Sequence, residues 1–164
     1  MKTLKISIGI FLALAVSRFI PHPPNFTNLI ALSFYVPALL GRKFIPAIIV
    51  SFAVTDLIIG YHSLTHWTWG SVLIIGLIVE FFKNKTSLRI LGSVFAVFIF
   101  YIITNFGVWT LGSYGYNPEG LITSYIMAIP FLGYNLISTF LYALLIEAII
   151  YYFNFKKLNK NYRI

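Results

Sequence analysis

The sequence predicts an all-α integral membrane protein, a bundle of six transmembrane helices with both termini in the cytoplasm. Three observations predict it. The 164 residues are 59% hydrophobic and only 10% charged, whereas a soluble domain carries about 25% charged residues. The basic residues form four small groups: Lys2 and Lys5; Arg42 and Lys43; Lys83, Lys85 and Arg89; and Lys156, Lys157, Lys160 and Arg163. Two apolar segments separate each group from the next, so every Lys and Arg except Arg18 falls on one side, the positive-inside pattern. The same distribution argues that the net charge of +8 orients the chain in a membrane rather than binding nucleic acid. The length suits one transmembrane domain, residues 1–164.

Span one covers about 4–20 and span two about 26–40, the latter short and carrying Pro37. A re-entrant hairpin competes for span two, but it would put Arg42 and Lys43 on the outer side, against the charge pattern. Span three is about 44–60, span four about 69–82 and span five about 88–109. The last apolar stretch, Leu121 to Phe155, is too long for one crossing of a hydrocarbon core about 30 Å thick. Pro130 is expected to divide it into a short outer segment and span six, about 130–153. Met1 to Ser17 also resembles a signal peptide, with two lysines and then Ala13-Leu14-Ala15. Its apolar core is barely long enough for one, so it is read as span one.

With this topology the outer side carries the loops Arg18–Asn28, Tyr61–Trp69 and Asn105–Gly120, which hold all three histidines and all three tryptophans. Tryptophan and tyrosine favour the membrane interface in any case, but an aromatic belt does not explain the asparagines and histidines beside them. Asp56 lies inside span three, about one turn from its outer end, and an acid there is a functional candidate by default. Arg18 lies at a similar depth. The two fit either a structural ion pair or a ligand site, and both roles can coexist. Glu80 is expected at the inner interface with Lys83. Glu147 is deeper, suited to a partner contact, a helix-packing contact or a proton path.

Other chemistries find little support. His62 and His66 stand four residues apart, but a metal site takes three or four ligands, and only His22 and a carboxylate such as Asp56 or Glu119 could complete it. No metal and no cofactor is expected. The sequence has no cysteine, glycine-rich phosphate loop, nucleophile elbow or HExxH motif, so an enzyme is not expected. Gly9, Ala13 and Ser17 form a small-residue face on span one, for packing within the protein or for docking a second membrane subunit.

The stretches RFIPHPPNFTN (Arg18–Asn28), DLIIG (Asp56–Gly60), TNFGVW (Thr104–Trp109) and GLITSYIMAIPF (Gly120–Phe131) resemble a family of uncharacterised bacterial six-span membrane proteins. That family in turn resembles the substrate-binding (S) components of energy-coupling-factor vitamin transporters. The resemblance implies a multi-pass protein of the bacterial inner membrane with a small-molecule pocket near its outer surface, walled and lidded by the outer loops. It implies that the Gly9–Ala13–Ser17 face docks a coupling subunit driven by cytoplasmic ATPases. Carried over, the matching positions are Arg18, Asn25, Asp56, Asn105 and Trp109, with Pro130 and Phe131 as structural elements. His62, Trp67 and Tyr114, from the same outer loops, complete the candidate ligand set. The implied function is binding and uptake of a vitamin-like molecule or precursor. The alternative is a structural or assembly protein that binds another protein through its outer loops, as rod-shape membrane proteins do with a similar bundle. A self-sufficient channel or carrier ranks third, because few polar residues continue between Asp56 and Glu147.

Overall fold

The structure, a computed structural model, describes residues 2–161, with side chains described through residue 154. The side chains of Lys156, Lys157, Lys160 and Arg163 lie outside the described residues. Within them the fold is all-α, with seven α-helices and no strand. Two helices are long and apolar enough to cross a membrane, Thr86–Thr110 and Ile129–Asn154.

Helix α1 (Lys2–Phe19) stops just before Pro21, because the proline ring disfavours helical geometry in the residue preceding it. The chain then turns at Pro23–Phe26, where the Phe26 amide donates to the Pro23 carbonyl at 3.0 Å. Asn25 has φ of 62° there. Proline at the second position and a left-handed residue at the third are what a type II turn requires, and asparagine tolerates that conformation.

Helix α2 (Leu29–Leu40) has 12 residues, about 18 Å at 1.5 Å per residue, and ends at Gly41 with φ of 93°. Helix α3 (Ile45–Ile59) opens with Pro46 in its first turn, where the missing N–H costs nothing. It closes at Gly60, whose amide donates to the Asp56 carbonyl at 2.8 Å. Helix α4 (Thr65–Ile78) runs on into a 3-10 turn, Val79–Phe81.

Helix α5 (Thr86–Thr110) is the hub, packing against α2, α4, α6 and α7, while α1 packs mainly on α3. Glycines set the close approaches. A Cβ on Gly92 would lie 2.6 Å from the Phe34 ring, and one on Gly107 would lie 2.5 Å from the Trp67 indole. Helix α6 (Pro118–Met127) is capped by the Asn117 side chain, which accepts from the Gly120 amide at 2.8 Å. Helix α7 (Ile129–Asn161) follows after a break at Ala128. Pro130 cannot donate back to the previous turn, so α6 and α7 do not fuse.

The core contains Leu14, Phe34, Ile48, Ile75 and Val97. Buried among and beside these are Ser33, Ser51, Thr55, Ser71 and Ser93. Their hydroxyls donate to carbonyls three or four residues earlier in their own helices. Large apolar side chains face outward instead, such as Leu57, Leu91, Ile122 and Phe153.

Candidate functional site

The loops after α1, α3 and α5 gather at one end of the bundle. Two adjoining cavities open there, of about 300 and 240 Å³. Asn25, His62, Thr68 and Phe100 line both, so they form one site with two lobes. The first turn of α2, Leu29 and Ile30, lines the smaller lobe.

The smaller lobe is built around an ion pair. Arg18 NH2 donates to Asp56 Oδ1 at 2.6 Å. Its NH1 donates to Thr55 Oγ1 at 2.6 Å and to the Phe52 carbonyl at 3.3 Å, and the guanidinium lies 4.4 Å from the centre of the Phe52 ring. The second carboxylate oxygen of Asp56 accepts from Trp69 Nε1 at 2.8 Å. The Asp56 side chain is 3% exposed and that of Arg18 14%. Both charges are therefore paired and hydrogen-bonded, the condition under which buried ions are tolerated. The pair ties α1, α3 and α4 together while Arg18 and Asp56 border the cavity. Trp69 is a participant that sequence reasoning missed. The available signal was a buried acid short of donors and two indoles, Trp67 and Trp69, just across a short hairpin.

Asn135 on α7 also lines this lobe. It is 7% exposed, and its side-chain amide has no hydrogen bond among the described residues. It too was not singled out in the sequence, because an asparagine in the middle of an apolar helix shows its direction only after packing.

The larger lobe is more apolar, lined by Leu64, Val108, Met127 and Phe131, with Asn105 and Tyr114 contributing polar groups. Asn105 Nδ2 donates to the Tyr101 carbonyl at 2.8 Å, which leaves its amide oxygen for the cavity. Helix α6 forms the wall. Ser124 donates to the Asn105 carbonyl at 3.2 Å, and the Tyr101 hydroxyl donates to the Tyr125 carbonyl at 2.5 Å. Burial pushes the Tyr125 phenol up, with Tyr101 beside it adding, so it stays protonated and donates to the Ile102 carbonyl at 2.9 Å.

Of the residues expected to bind ligand, Arg18, Asn25, Asp56, His62, Asn105 and Tyr114 thus line one lobe or both. Trp67 and Trp109 are placed elsewhere, which corrects the expectation for both. The Trp67 and Trp109 rings pack on either side of Phe106, at 5.6 and 5.3 Å between centres, and Trp109 Nε1 donates to the Asn117 carbonyl at 3.3 Å. Phe106 and Trp109 are three residues apart on α5 and share a row, and neither lines a lobe.

The small-residue face is also divided. Ser17 is buried, and its hydroxyl donates to Asn28 Oδ1 at 2.7 Å, while Asn28 Nδ2 donates to the Ala13 carbonyl at 2.8 Å. Ser17 is therefore an internal contact, not a docking residue. Gly9 and Ala13 remain exposed, and a Cβ on Gly9 would meet nothing within 4 Å. Glu147 proves to be a packing residue at the opposite end, paired with Arg89 at 2.6 Å.

Fold and site together define an all-helical bundle with a two-lobed cavity at one end, lined by amides, apolar side chains and a neutralised ion pair. The chain belongs to the family of unknown function DUF6580, whose model matches residues 1–161. No curated protein and no solved structure matches it.

Proposed function

We propose that this protein is a multi-pass protein of the bacterial inner membrane that binds a small molecule at its outer end for uptake, in the manner of an energy-coupling-factor S component. The observation that carries this reading is the two-lobed cavity. Small-molecule sites are concave and mostly apolar, with a few placed polar groups, and the lobes combine Phe100, Met127 and Phe131 with Asn25, Asn105 and Asn135. The membrane part draws on the outward-facing apolar side chains, including Leu57, Leu91 and Phe153, and on the two long apolar helices. Exposed apolar surface on that scale is a liability in water and suits lipid. In this topology α1, α2, α3, α4, α5 and α7 are the six crossings, and α6 lies at the outer end. The exposed Gly9 and Ala13 would meet the coupling subunit. The likeness to S components itself rests on span number, size, topology and the small-residue stripe of span one.

The test is purification in mild detergent followed by mass spectrometry of co-purifying small molecules. A stoichiometric ligand, lost in Asn105→Ala, is the expected result. That substitution should weaken binding by about 1–3 kcal/mol, the cost of an unpaired buried polar group. An empty cavity in every preparation, with a protein co-purifying on the loop end, would favour the assembly role instead. Topology is checked separately. The chain has no native cysteine, so Ser63→Cys and Ser113→Cys should be labelled from outside, and Asn84→Cys should not.

A further inference from the structure

The geometry points to an uncharged ligand whose edge offers a hydrogen-bond donor and an acceptor side by side, a carboxamide, lactam or cyclic ureide, held in the smaller lobe by Asn135. This inference rests on the small-molecule reading of the same site and specifies the chemistry of what enters it.

Charge is considered first. Beside the His22 and His62 imidazoles, the charged side chains lining the lobes are Arg18 and Asp56, and their charges cancel at 2.6 Å. An anionic ligand would have to take Arg18 from Asp56, Thr55 and the Phe52 carbonyl. That would strand Asp56, which is 3% exposed and cannot be rescued by bulk water. A cationic ligand would have to displace Arg18 or Trp69 from the same carboxylate. A neutral ligand leaves the network intact.

The hydrogen-bonding inventory then selects the edge. The hydroxyls of Thr68, Thr104 and Ser124 already donate to backbone carbonyls. The open groups include the carboxamides of Asn25 and Asn135, beside the His62 imidazole and the Tyr114 hydroxyl. Asn135 is 7% exposed, yet its amide oxygen and nitrogen have no partner among the described residues. A carboxamide is an acceptor and a double donor, and this one lines the open lobe, where both groups can meet what enters. An amide-like edge satisfies both ends of it at once. Asn25 lines the same lobe from the loop between α1 and α2. Its left-handed turn, with φ of 62°, fixes the direction from which it approaches. The apolar lobe beyond Phe100 would take the rest of the molecule.

Benzamide, benzoate and benzamidine share one ring and size and differ in charge, so they separate the possibilities. The full chain is purified in mild detergent, and thermal stabilisation is measured with each compound at millimolar concentration. Benzamide should stabilise the protein, and benzoate and benzamidine should not. Asn135→Ala should weaken the benzamide response about tenfold to a hundredfold. Asn135→Leu, close in volume, guards against misfolding. It should abolish the response while the ligand-free melting temperature holds, because the Asn135 side chain makes no hydrogen bond among the described residues. Stabilisation by benzoate or benzamidine alone overturns the ligand class and leaves the binding reading standing. A benzamide response unchanged in both Asn135 variants, or a lowered melting temperature in Asn135→Leu with binding intact, overturns the role of Asn135. No response to any of the three overturns the inference. If no small molecule co-purifies either, the binding reading falls with it.

Discussion

Among the described residues are two buried arginine–carboxylate pairs, at opposite ends of the bundle, and they are built differently. Arg89 grips Glu147 with two parallel bonds, Nε to Oε1 at 2.6 Å and NH2 to Oε2 at 2.7 Å. Thr86 adds a third donor at 3.2 Å, and the buried Tyr35 ring lies beside the carboxylate. This is the bidentate fork that guanidinium and carboxylate geometry favours. It joins α5 to α7 and borders none of the cavities described above. Arg18 instead meets Asp56 through a single bond, turns its other nitrogen to Thr55 and Phe52, and leaves Trp69 to complete the acid. That arrangement spans three helices and borders a cavity. The difference teaches that an ion pair inside an apolar bundle identifies a site only through what surrounds it. The sealed pair fixes helix packing, and the divided one both fixes packing and lines a pocket.

The largest expected effect breaks the sealed pair. Glu147→Ala leaves a buried Arg89 without its counter-ion and should cost about 3–5 kcal/mol, read as a fall in thermal stability in detergent. Asp56→Asn should cost less, about 2–3 kcal/mol, because Arg18 borders a cavity that admits water and keeps Thr55 and Phe52 as acceptors. It should also lower ligand binding, which Glu147→Ala measured on the folded fraction should not. Trp69→Phe keeps the ring but removes one donor to a charged acceptor. A loss of about 1.5 kcal/mol is expected, with Asp56 still held by Arg18.

Paired apolar replacement sharpens the contrast. Arg89→Met with Glu147→Leu removes both charges together and should fall within about 1 kcal/mol of the native stability, since well-packed hydrophobes often match a buried pair. Arg18→Met with Asp56→Leu should be similarly tolerated by the fold yet weaken binding, because it rebuilds one wall of the smaller lobe. If the second double variant binds normally, the Arg18–Asp56 pair is purely structural. At the small end, Glu80 sits in an exposed cluster with Lys83 at 2.5 Å and Arg42 at 3.6 Å. Glu80→Gln should leave stability unchanged within error, as exposed pairs generally do.

The stretch Arg18–Asn28 shows how far sequence reading reaches. Its prolines marked a stiff loop, and the structure places Pro24 and Asn25 in a tight turn that brings Asn25 to both lobes. Its second role was not legible. Asn28 is tied to Ser17 and to the Ala13 carbonyl, so one end of the stretch fastens α1 to α2 while the other lines the cavity. The same contact removed Ser17 from the small-residue face. Trp67 and Trp109 went astray for a related reason. An aromatic residue near a polar loop is equally at home in a pocket or in a cluster on the outer surface, and only the Phe106 between them decided the matter.

By itself the sequence determined the helical class, the breaks and the loops that carry the histidines and tryptophans. These follow from local rules. Apolar runs form helices, glycine and proline end them, and the charge distribution separates one set of loops from the other. Tertiary structure alone decided which polar residues share a space. Asp56 and Trp69 are 13 residues apart yet within hydrogen-bond distance, and Arg89 and Glu147 meet across 58. Asn135 faces the lobe while its apolar neighbours do not, because the rotation of α7 is set by its packing on α5 and α2. Helical periodicity fixes angles between residues on one helix. Their bearing toward another helix depends on the packing of the whole bundle.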